Sequence, residues 1–109
     1  MDIKLAIEKF ETDPTFFLRS YPKLHKILLK IAKENEPETW IEGMPLWLVP
    51  AEILDDAISV GPHGLLFISD DVDQEKWKII AKHEKLEAEL VSEGYSPEEA
   101  HKLAKEQII

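Results

Sequence analysis

His83 and Glu87, four residues apart, with His101 further on, are the side chains of this chain best placed to do chemistry. Imidazole nitrogens and a carboxylate oxygen are the donors of zinc hydrolase sites, which use three protein ligands and leave a fourth position for water. Residues four apart lie on one side of a helix and can reach one ion from consecutive turns. Residues 77–91 read as such a helix. Lys78, Lys82, Lys85, Glu89 and Glu93 fall on one side, and Ile79, Ile80, Leu86, Leu90 and Val91 on the other. His83 and Glu87 lie in the middle of the apolar arc and Glu84 near its edge. A carboxylate on a buried face needs a partner or a metal, because desolvating an unpaired charge is costly. The expected ligands are therefore His83, Glu87 and His101, holding zinc or another divalent metal. Glu84, directly after the first ligand, stands where the general base of a His-Glu-x-x-His helix stands and takes the proton of metal-bound water. The same three ligand residues also read as a polar network tying two helices together.

The other ionisable and aromatic side chains read more simply. His63 is expected to be a solvated turn residue, and His25 to be exposed on its helix. Asp70, Asp71 and Asp73 lack the spacing, the glycine and the closing glutamate of a calcium loop, and suit helix capping. Trp40, Trp47 and Trp77 are expected in the core or at a groove edge, and Phe16, Phe17 and Tyr21 in the core.

Helices and a small sheet must position these groups. Residues 3–10 predict a first helix. Asp13-Pro14 is a helix start, with Asp as N-cap and Pro at the first helical position. Residues 23–33 form an amphipathic helix through Leu24, Ile27, Leu28 and Ile31, ended by Asn35-Glu36-Pro37. Residues 40–41 and 46–49 are strand material cut by Gly43, Pro45 and Pro50. Residues 57–60 and 65–68 predict a β-hairpin across Gly61-Pro62-His63-Gly64. One of the three aspartates caps the His83 helix, and Gly94 ends it. Ser96-Pro97-Glu98-Glu99 then opens a last helix to about residue 107. The expected architecture is α+β: N-terminal helices, a small antiparallel hairpin or sheet, and two C-terminal helices.

A chain of 109 residues is expected to form one domain over residues 1–109. Its net charge of -9 argues against nucleic acid, which needs a basic surface. No apolar run approaches the roughly 20 residues that span a bilayer, so no membrane association is expected. There is no cysteine, hence no disulfide and no thiolate ligand, and the simplest location is cytoplasmic.

Residues 58–104 resemble small metallopeptidase-like proteins of the zincin type. The likeness is to short uncharacterised proteins, some phage-associated, with His-Glu-x-x-Glu followed by Tyr-x-x-x-x-Ala-His-x-x-Ala. In this chain those positions are His83, Glu84, Glu87, Tyr95, Ala100, His101 and Ala104. The familiar zincin has His where this chain has Glu87, and often Glu where it has His101; the totals agree. The resemblance implies a metal-dependent hydrolase acting on a peptide or protein substrate laid along the sheet edge. The alternatives are a non-enzymatic protein-interaction module that binds a partner through the N-terminal helices, and a protein that keeps a metal for structure. Substrate and oligomeric state are not encoded in any recognisable pattern.

Overall fold

The computed structural model describes residues 2–14, 16–54, 59–60 and 62–108. Its elements are α1 (Ile3–Thr12), α2 (Phe16–Arg19), α3 (Pro22–Glu34), β1 (Thr39–Ile41), β2 (Met44–Val49), β3 (Ser59–Val60), β4 (Leu66–Ser69), α4 (Trp77–Ser92) and α5 (Pro97–Ile108). The fold is α+β. Among the described residues no helix is long and apolar enough to cross a membrane.

The sheet has the order β1-β2-β4-β3 and is mixed rather than antiparallel. β1 and β2 form a hairpin whose turn residues Glu42 and Gly43 both have positive φ, the backbone that a tight hairpin needs. β3 and β4 are the second antiparallel pair, with Ser59 opposite Ile68 and Val60 opposite Phe67. Residues 57 and 58, expected to begin that hairpin, lie outside the described residues, as does Gly61 in its connection. Leu65 precedes the strand rather than belonging to it. The departure is at the centre, where β2 and β4 run parallel, with Leu46 opposite Leu66 and Trp47 opposite Phe67. After β2 the chain reaches the far edge before it returns as β3, so β4 runs alongside β2 in the same direction. Apolar alternation carries no strand direction, so the sequence could not distinguish the two cases.

The central strands are buried on both faces, which is why Met44–Val49 is a nearly continuous apolar run. Trp47, Val49 and Phe67 pack with Ala6, Phe10, Leu18, Leu28 and Ala32 of the N-terminal helices. Met44, Leu46, Leu66 and Ile68 pack with Trp77 and Ala81 of α4 on the other face. The Trp47 and Phe67 rings stack at 5.5 Å, and Trp47 Nε1 donates to Asn35 O at 3.0 Å. Tyr21, expected in the core, is exposed, and so is Trp40, expected in the core or at a groove edge. Trp40 is on the edge strand β1, whereas Trp47 is on a central strand under α1–α3. The side chains of Phe16 and Phe17 lie outside the described residues.

Several local signals resolve differently from their sequence reading. Asp13 closes α1 instead of opening a helix: its N–H donates to Lys9 O, and its carboxylate accepts from Arg19. The reason is that α1 continues past Phe10 to Thr12. His25 is half-buried, with its ring edge on Phe10 and Nε2 2.8 Å from Phe10 O. His63 is not merely solvated; its Nε2 lies 2.6 Å from Asp13 O, fixing the turn after β3 to the end of α1. None of the three aspartates caps α4 through its side chain. A 3-10 turn, Gln74–Lys76, intervenes, and Asp73 before it makes no side-chain cap bond. Asp70 accepts from Ala51 N–H and Asp71 from the Ser69 hydroxyl.

Candidate metal centre

Two different contacts share the long helix α4. Trp77 and Ala81 in its first half pack on the sheet, whereas Leu86 and Leu90 in its second half pack on Ala100, Leu103 and Ala104 of α5. This division explains two misplaced residues of the expected apolar arc. Ile79 is on the α5-facing stripe but in the half that packs on the sheet; Val91 is on the sheet-facing stripe but in the half that packs on α5. Both are exposed.

The turn between the helices is specified locally. Gly94 has φ +107°. Gly94 N–H donates to Val91 O and Tyr95 N–H to Leu90 O, both at 3.1 Å. These are the two bonds of a Schellman motif, which needs a residue of positive φ at the position Gly94 fills. Ser96 then caps α5. Glu99 N–H donates to Ser96 Oγ at 3.2 Å, and the hydroxyl donates to the Glu99 carboxylate at 3.0 Å. So short a connection makes the two helices antiparallel neighbours.

Ala100 and Ala104, one turn apart and fully buried, let the helix backbones approach closely. His101 follows the first of them. Small residues spaced i, i+4 beside the histidine are the sequence signal for this close contact.

His83, Glu87 and His101 consequently meet. His83 Nε2 is 3.1 Å from Glu87 Oε2, His101 Nδ1 is 3.2 Å from the same oxygen, and the two nitrogens are 3.4 Å apart. The rings are 75° apart in plane, with centroids at 5.1 Å, so they approach from different directions. Bonds of about 2.0–2.1 Å in tetrahedral geometry require ligand atoms roughly 3.3–3.4 Å apart. The observed triangle is within a few tenths of an ångström of that face. A point at bonding distance from all three atoms lies about 0.8 Å out of their plane, close to where a tetrahedral ion would sit. These three residues are the group of ligand-distance donors found among the described residues. They could hold a metal ion. The His83 and Glu87 side chains are 20% and 25% exposed and that of His101 62%, so the triangle opens to solvent on the α5 side.

Glu84 is not part of the triangle. It is half-buried, about 100° round the helix from His83 and three residues before Glu87, which makes it a surface neighbour of Glu87. It lies beside the ligand set rather than in it.

No protein-family model, curated protein sequence or solved structure matches the chain.

Proposed function

We propose that this protein is a metal-dependent hydrolase whose centre is held by His83, Glu87 and His101, with Glu84 as general base. The observation that carries the reading is the triangle of one oxygen and two nitrogens with edges of 3.1, 3.2 and 3.4 Å. Two imidazoles favour zinc or a similar transition ion over calcium or magnesium, which prefer oxygen donors. Three protein ligands and an open side suit a catalytic centre; a structural zinc is normally closed by four.

A bound ion would supply a water of lowered pKa and polarise the substrate carbonyl. Glu84 accepts the proton as the water oxygen bonds to the carbonyl carbon. It then delivers that proton to the amine nitrogen as the C–N bond breaks, leaving a carboxylic acid and an amine. Glu87 would be the third ligand, through the Oε2 that lies 3.1 Å from His83 Nε2 and 3.2 Å from His101 Nδ1. The substrate class is a peptide or another amide, following the zincin resemblance of His83, Glu84, Glu87 and His101.

The first test is zinc titration of chelator-treated, untagged protein. The expected result is one equivalent bound, lost in His83→Ala with His101→Ala. The second is hydrolysis of unstructured protein or a mixed peptide library. Glu84→Gln should bind zinc normally and lose nearly all turnover, because an amide of the same size cannot take the proton. Full turnover in that variant, or turnover that survives complete chelation, would exclude this mechanism.

A further inference from the structure

We infer that metal occupancy controls the docking of α5 onto α4, so that the centre is assembled by its own ion. This rests on the metal-centre reading above and adds a regulatory consequence to it. Two ligands, His83 and Glu87, belong to α4, which the sheet core anchors through Trp77 and Ala81. The third, His101, belongs to α5.

Among the described residues, α5 brings Ala100, Ala104 and the half-buried Leu103 to the interface, where they meet Leu86 and Leu90 of α4. That cluster is separate from both sheet cores. Small residues permit close approach but remove little apolar surface from water. Glu87 carries its carboxylate into that contact, 3.2 Å from His101 Nδ1. A divalent cation between the helices would offset the charge of Glu87 at the point where they meet.

The bonds at Val91, Leu90, Ser96 and Glu99 fix the turn and start α5 locally, but a helix of 12 residues is only marginally stable in water without a partner. What the ion decides is whether that helix is held against α4. His101 is the most exposed of the three ligands, so an ion can enter from solvent and draw α5 onto the pair already set by α4. Without it, His101 departs with α5 and the triangle becomes a two-donor remnant.

Hydrogen–deuterium exchange of the full chain, chelator-treated against zinc-saturated, tests this. Zinc should slow exchange in α5 by about tenfold or more, leaving β2 and β4 unchanged, since only the helix contact gains stability. His101→Ala should exchange in α5 at the chelated rate with or without zinc. Being exposed, that position can lose its side chain without disturbing the core. If zinc binds at one equivalent but α5 exchanges equally in both conditions, the docking inference is wrong and the metal centre stands. If zinc does not bind at all, both fall.

Discussion

Saturating zinc should raise the melting temperature of this protein by about 10 °C, and the magnitude can be worked from the site. An ion that binds the folded chain alone stabilises it by RT ln(1 + [Zn]/Kd), which is about 2.7 kcal/mol at a free concentration a hundredfold above Kd. Any cost of drawing α5 onto α4 is already contained in the measured Kd, so it does not enter the shift separately. For a domain near this size, each kcal/mol moves the transition by roughly 4 °C or somewhat more. Differential scanning calorimetry, with free zinc buffered at a hundred times the Kd measured by titration, gives the shift directly. Tryptophan fluorescence follows the same transition, since Trp47 and Trp77 lie in the two sheet cores. His83→Ala with His101→Ala should melt at one temperature with and without zinc. An equal zinc-dependent rise in that double variant would refute the assignment, because the stabilising ion would then be bound elsewhere. No rise in the unmodified protein at that free zinc would refute it as well.

Three further outcomes follow from the packing. Gly94→Ala should cost about 1–2 kcal/mol in urea denaturation: its Cβ would meet nothing within 4 Å, so the penalty is the φ of +107° alone. Ala104→Leu should force α5 away from α4 and weaken zinc binding by about tenfold or more, while the far-ultraviolet circular dichroism of the rest is retained; unchanged affinity would mean that the close contact at Ala104 does not set the triangle. Phe67→Ala should cost about 3–5 kcal/mol, read from chemical denaturation, because its ring is buried between Phe10 and Trp47.

The helices were legible because their signals are local. Periodicity placed residues 23–33 within α3 and 77–91 within α4, and Ser96-Pro97 with Gly94 marked the turn between α4 and α5 to within a residue. His83 and Glu87 could be put on one helix face by spacing alone, since four residues make about one turn whatever surrounds them. Three matters were beyond local signals. The parallel pairing of β2 with β4 joins strands far apart in sequence, and alternation of side chains is the same for either direction. The roles of His25 and His63 were decided by partners distant in sequence: Phe10 O for His25, and Asp13 O for His63. The distance from His101 to His83 and Glu87 was set by how closely two helices pack, which Ala100 and Ala104 determine only once they face Leu86 and Leu90. The sequence by itself therefore determined the donor types and the face they share. The tertiary structure alone decided that their three atoms form a triangle an ion can fill, because coordination depends on distances of a few tenths of an ångström between groups on different helices.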